Sequence, residues 1–264
     1  MNNTGNNTDR AQQSSKPVLV DDIFERLKEH VKKENPGYPR DIINKIIKHR
    51  EYTTERLLSI VDEFFTRPMR DMTNEQWTES MTAFFILSKF REKRAFEYIV
   101  RLCNIPHHTK EFALSDVATE NVPEFLASTF NGDWEALYSL VTNQHLDEYL
   151  RSGIIDTYGI LYIHNLMSRE QIINTFSGLF DELYDDYSIV PSMLVSKCCE
   201  IHATELADKM KWYFEKQVTD IDLVSYQEME ESFALSRSEA FEKMKKDSVF
   251  GFTDNLEEDM KWVF

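Results

Sequence analysis

Four times in this chain a Ser or Thr stands three residues ahead of a Gln or Glu at the head of a helical run: Thr73 with Gln76, Ser168 with Gln171, Ser225 with Glu228 and Ser236 with Glu239. At that spacing the hydroxyl accepts from the backbone N–H three residues on, and the Gln or Glu reaches back to the first N–H. The pattern therefore marks the first turn of a helix. Runs without such a box also keep the helical period. "YPRDIINKIIKHR" places Pro39 at a first helical position and Ile42, Ile43, Ile46 and Ile47 on one stripe. "TTERLLSIVDEFF" repeats the design with Leu57, Leu58, Val61, Phe64 and Phe65. About five residues separate these two runs, which suits an antiparallel hairpin. No segment alternates with the two-residue period of a strand between hairpin turns. Seven Gly and seven Pro in 264 residues are too few for a loop-rich or all-β chain. The chain reads as all-α.

The helical runs come in pairs. "TENVPEFLASTF" leads to "GDWEALYSLV", "DEYLRSGIIDTYGILYI" to "SREQIINTFSGLFDEL", and "SIVPSMLVSKCCEI" to "TELADKMKWYFEK". The turns near Arg91, Asn131, Asn165 and His202 fall about 40, 34 and 37 residues apart. One helix pair cannot bury its apolar face alone, whereas stacked pairs make a continuous core. The expected fold is an α-solenoid of HEAT/armadillo-like stacked antiparallel helix pairs, with a compact helical bundle as the competing arrangement. Residues 1–17, "MNNTGNNTDRAQQSSKP", have too little apolar surface to join a core and are expected to form a disordered tail. Residues 18–264 are expected to form a single helical-repeat domain. The tail has no apolar signal core, and no run nears the ~20 apolar residues of a membrane span. A cytoplasmic protein is the expectation. The three cysteines, Cys103, Cys198 and Cys199, are an odd count with one adjacent pair, which suits core residues in a reducing compartment.

The net charge of −16 is unevenly spread. Residues 1–110 hold 19 Lys+Arg and 16 Asp+Glu, while residues 111–264 hold 11 and 30. So acidic a body repels phosphate backbones, and no nucleic-acid or membrane partner is expected. It favours a basic protein partner, and the near-neutral first part leaves self-association open. The candidate partner-binding residues are the acids Asp181, Glu182, Asp185 and Asp186 of "DELYDDY" and the cations Lys89, Arg91, Lys93 and Arg94 of "KFREKR". The cations have a second reading, as complements to a helix C-terminus.

Chemistry is harder to find. His202 and Glu205 share a helical face but complete neither zinc-protease helix motif, and Thr204 reads as a helix cap. His107 and His108 read as a surface loop. The acids of "EMEE", residues 228–231, read as a solvated face. No GxSxG, P-loop or GxGxxG occurs. In "NGDWEALYSLVTNQHLDEYLRSGIID", residues 131–156, the set Asp133, Trp134, His145, Asp147 and Arg151 has the residue types of an active site. It also reads as repeat punctuation. Gly132 makes a turn with positive φ, Asp133 and Asp147 cap helices, and Arg151 pairs with Asp147 or with a neighbouring repeat's acid. No catalytic, cofactor or metal residue is assigned.

From about Tyr38 onward the chain also resembles a known family. The resemblance rests on "YPRDIINKIIKHREYTTERLLSIVDE", "AFFILSKFREKRAFEYIVRLC", "ATENVPEFLASTFNGDWEALYSLVTNQHLDEYLRSGIIDTYGIL", "HATELADKMKWYFEKQVTD" and "DNLEEDMKWVF". Together these are similar to the bacterial domain of unknown function 1186, a HEAT-like helical family. The resemblance implies an α-solenoid in a bacterial cytosol and brings no activity with it. Some members add a Cys-rich zinc motif of the SEC-C type; none follows here, so zinc by that route is not expected. The functional expectation is a non-catalytic protein–protein interaction scaffold with an acidic binding face. The alternative is a HEAT-like enzyme of hydrolase or DNA-repair glycosylase type.

Overall fold

Helices are the only long regular elements in the computed structural model, which describes residues 8–68, 71–105, 121–247 and 251–264. All four capping boxes form. The Thr73 hydroxyl accepts from the Gln76 N–H at 3.3 Å while the Gln76 side chain accepts from the Thr73 N–H at 3.1 Å. Ser168, Ser225 and Ser236 make the same reciprocal pair with Gln171, Glu228 and Glu239. Contacts divide the chain into two compact units, Met1–Ala95 with Thr253–Phe264, and Phe96–Phe252.

The first unit holds α1 (Thr8–Val31), α2 (Arg40–Lys48), α3 (Arg50–Phe64) and α4 (Asn74–Lys89). The backbone is helical from Thr8, so no break in it coincides with the tail boundary at residue 17. Ile23, Phe24 and Leu27 of α1, Ile43 and Ile46 of α2, Leu57, Val61 and Phe64 of α3, and Phe84 to Leu87 of α4 form its core. The loop of about five residues expected between α2 and α3 is absent. One residue, His49, separates the two helices. Thr53 and Thr54 lie inside the first turns of α3, where their hydroxyls donate to the Ile46 and Arg50 carbonyls at 3.0 and 2.7 Å. The C-terminal segment packs on the same unit. Trp262 lies 5.6 Å from Trp77 and 5.9 Å from Phe85, ring to ring, and Phe264 meets the edges of His30 and Tyr38.

The second unit holds α5 (Phe96–Cys103), α6 (Val122–Thr129), α7 (Trp134–Thr142), α8 (Glu148–Ile163), α9 (Arg169–Glu182), α10 (Val190–Glu200), α11 (Ala207–Glu215), α12 (Tyr226–Ala234) and α13 (Arg237–Lys246). Alternate helices lie side by side. α6 packs on α8, α8 on α10 and α10 on α12; α5 packs on α7, α7 on α9, and α9 on the 3-10 turn Thr204–Leu206 that leads into α11. α8 is buried along nearly its whole length, as a helix flanked by neighbours on several faces must be. Side chains tie the unit together at a constant separation. Thr157 donates to the Pro123 carbonyl, 34 residues away, and Lys209 to Ser177, 32 away. Arg169 donates to the His202 carbonyl and Tyr213 to that of Phe180, each 33 away.

Four helix ends share one device. Arg91, Asn165, His202 and Gln217 take positive φ of 54°, 59°, 53° and 56°. At each, the next N–H reaches back five residues (Glu92 to Leu87, Leu166 to Leu161, Ala203 to Cys198, Val218 to Tyr213), which is the Schellman motif closed without glycine. Gly132 takes φ 104° in the turn before α7, as its place in Asn131-Gly132 requires. His202 thus closes α10, and Thr204 caps nothing; it opens the 3-10 turn.

Candidate partner-binding face

The acid cluster at the end of α9 does not lie on one surface. Asp181, Glu182 and Asp185 are exposed. Asp186 is not: it is buried and bonded to Arg151, so it is removed from the candidate face. Arg151 also donates from Nε to the Val141 carbonyl at 2.7 Å, at the end of α7. Asp147 accepts from the Tyr149 and Leu150 N–H groups at 3.0 and 3.1 Å as the cap of α8. Asp133 caps α7 through the Ala136 N–H at 3.0 Å. His145 is exposed. The apparent Asp–His–Arg site of residues 131–156 is therefore punctuation, with Arg151 paired to a later acid. The signal was present in the sequence as a lone Arg within the otherwise apolar face of α8.

Beside the remaining acids the structure adds aromatics that charge counting passed over. Phe180, Asp181 and Tyr184 face Asp208, Lys209, Trp212 and Tyr213 of α11 across a groove of about 480 Å³. Its floor is braced: the Phe180 and Tyr213 rings meet edge to face at 4.7 Å, and the Tyr213 hydroxyl donates to the Phe180 carbonyl at 2.5 Å. Burial pushes the Tyr213 phenol up, so it stays a donor. The walls are accessible, with Tyr184 54 % and Trp212 41 % exposed. Large aromatics left in water beside carboxylates form a surface suited to an organic cation. Lys209 supplies one already, bonded to Asp181 and to the Ser177 carbonyl. A second groove of about 460 Å³ shares Tyr184 and Trp212 and adds Glu148, Tyr187 and Asp220. The interleaved tyrosines of "DELYDDY" and the aromatic pair in "DKMKWYFEK" were the legible signals.

The basic candidates lie in the first unit and are largely engaged there. Lys89 and Arg91 both meet Asp254, at 3.2 and 3.1 Å. Arg94 pairs with Glu55 at 2.7 Å and Glu92 at 2.9 Å, and Lys93 is exposed. Arg91 also donates to the Ser88 carbonyl at 3.0 Å, which is the helix-end role. His202 and Glu205 part company: the His202 ring bonds the Leu235 carbonyl at 2.8 Å, and Glu205 takes Arg169 in a two-bonded pair. His107 and His108 lie outside the described residues. Among the described residues no three His, Cys, Asp or Glu side chains gather as a metal would need, and no helix is long and apolar enough to cross a membrane. Burial pushes the Cys199 thiol up to about 11 and that of Cys198 well above its usual value, so neither is a thiolate near neutral pH.

A family model described as protein of unknown function (DUF1186) matches residues 20–264. An uncharacterized protein of Chlamydia trachomatis serovar D is 25 % identical over 231 residues, covering 87 % of this chain and 92 % of the relative. One from Chlamydia muridarum is 24 % identical over 235 residues, with the same coverage of 87 % and 92 %. No solved structure matches.

Proposed function

The chain belongs to the DUF1186 family, and on that footing we propose that it is a non-catalytic binding scaffold whose acidic-aromatic face takes a basic segment of a protein partner. The scaffold is read as an α-solenoid. The side-chain bonds of Thr157, Lys209 and Tyr213, which join a helix to its counterpart 32 to 34 residues away, support that reading. The observation that carries the binding role is the groove in which exposed Tyr184 and Trp212 stand beside Asp181 and Asp208. An Arg or Lys side chain laid over these rings gains ~0.5–2 kcal/mol from each cation–π contact, and Asp208, with the Asp181 carboxylate shared with Lys209, holds its charge. The surplus of acids in residues 111–264 steers such a partner inward.

The test is a fluorescence titration, following Trp212, with an Arg/Lys-rich peptide and an Asp/Glu-rich control. The basic peptide is expected to bind and the control not. Affinity should fall steeply between about 50 and 500 mM salt. Trp212→Ala, with anisotropy of a labelled peptide as the readout, and Tyr184→Ala should each weaken binding ~2- to 30-fold, the loss of one such contact. Binding that ignores salt, or that survives loss of both rings, removes the basis for this function.

A further inference from the structure

The first unit carries a groove that the partner-binding face does not involve. It is formed by residues of α1, α3 and the start of α4 and encloses about 510 Å³. Four cations line it: Lys28 and Lys32 from α1, paired on their own helix with Glu25 at 3.2 Å and Glu29 at 2.7 Å, Arg56 from α3, and Arg67 just beyond α3. Among them lies Glu79 of α4, and its Oε1 is closed to water with no hydrogen-bond partner. The other acids of the lining are engaged. Glu63 accepts from Arg56 at 3.2 Å and from Ser59 at 3.1 Å, and Glu75 is hydrogen-bonded at Thr73. The charged groups that act on Glu79 are Lys28 and Glu25 from α1 and Arg56 and Glu63 from α3. Burial pushes the Glu79 carboxyl up, against the pull of Lys28 and Arg56.

We propose that this groove binds a hydrogen phosphate group, with the P–OH donating to Glu79 while the remaining oxygens accept from Lys28, Arg56 and the flanking Lys32 and Arg67. A cleft of cations alone takes any oxyanion. A carboxylate set inside it repels a fully deprotonated anion and accepts a hydrogen bond from one that still carries a proton. Inorganic phosphate keeps a P–OH at neutral pH, whereas sulfate has none. The orphaned acceptor is thus the element that discriminates between two ions of the same shape, and leaving such an acceptor unmet is costly. The groove has room for the free ion or for a small phosphate ester.

The experiment is isothermal titration calorimetry of the full chain with inorganic phosphate and with sulfate at pH 7.5. Phosphate is expected to bind at least ~10-fold more tightly than sulfate, the size of one good hydrogen bond to a charged group. Glu79→Gln, whose amide donates as well as accepts, should admit sulfate and close the gap. Arg56→Gln should weaken phosphate binding at least ~10-fold, and the surface variant Lys28→Gln provides the same reading if Arg56→Gln fails to fold. Ribose 5-phosphate at pH 6.0, where the ester also carries a proton, separates the sources. A tighter fit than inorganic phosphate names a phosphorylated metabolite, and a weaker one names the free ion. No heat with phosphate, equal affinity for sulfate, or a gap unchanged in Glu79→Gln overturns the proposal.

Discussion

Breaking the buried pair between Arg151 and Asp186 is the sharpest way to ask whether the stretch around Arg151 serves structure. The Arg151 side chain is 2 % exposed and that of Asp186 5 %. The guanidinium holds the Val141 carbonyl at 2.7 Å, and the carboxylate accepts from the Ser188 N–H at 3.0 Å, so the pair joins the end of α7, the body of α8 and the loop before α10. Arg151→Ala strands a carboxylate and a carbonyl, and Asp186→Ala strands a guanidinium. Either loss leaves a buried charge without its partner, which costs ~3–5 kcal/mol. Changing both, as Arg151→Met with Asp186→Ala, removes both charges and is expected to cost less than either single change, a coupling of at least ~3 kcal/mol. Urea unfolding followed by far-UV circular dichroism and tryptophan emission measures all three. Acid adds a second axis. Burial raises the Asp186 carboxyl, but the hydrogen bonds from Arg151 and Ser188 outweigh it and hold it below the usual aspartate value. A depressed folded pKa contributes stability that is complete above about pH 4 and is lost as pH falls through the lower folded value. Asp186→Asn should flatten that acid limb. Single-mutant losses below ~1 kcal/mol, or a double mutant equal to the sum of the singles, would refute the pairing as a structural brace.

Three further outcomes follow from the same geometry. Asp147→Ala removes the cap of α8 and should lower stability by ~1 kcal/mol in the same urea assay, with binding of the basic peptide unchanged. Gln217→Gly relieves a left-handed residue that costs an L-amino acid ~1 kcal/mol, so it should raise the unfolding midpoint rather than lower it; a lower midpoint shows that the Gln217 side chain matters more than its backbone. Cys199, held at about 11 by burial, should react with a disulfide reagent at pH 7.5 at least ~100-fold more slowly than free thiol, with a rate that rises roughly tenfold per pH unit; fast labelling means the helix end opens.

What was legible in the sequence is what is local. Capping boxes, the Asn131-Gly132 turn and the caps at Asp133 and Asp147 need only a few consecutive residues, and each forms. The gap expected between α2 and α3 is filled because the helix starts at Arg50 and runs through Thr53 and Thr54, whose hydroxyls bond carbonyls of preceding residues. The acid run "DELYDDY" was visible as charge, but nothing within it separates Asp186 from Asp185. That division is made by Arg151, 35 residues earlier, on a helix whose burial depends on its neighbours.

The fate of the long cations explains why the acids of the second unit are left to face outward. Arg151, Arg169 and Lys209 each cross to a neighbouring helix, take one or two carbonyls near its end, and add one acid: Val141 with Asp186, Ile201 and His202 with Glu205, Ser177 with Asp181. Lys197, buried in α10, takes Asp156 and Glu200; burial alone would lower its pKa, and the two carboxylates together raise it. A cation serving carbonyls at a helix end answers the negative end of the helix dipole and neutralises little of the surface. With 11 Lys and Arg against 30 Asp and Glu in residues 111–264, cations used as braces between helices leave a large surplus of negative charge. The repulsion within this surplus is a standing cost of the fold, and the proposed basic partner, laid along Tyr184 and Trp212, would relieve it while covering the two rings. The same residues that hold the helices together thereby leave the second unit's surface with an excess of negative charge.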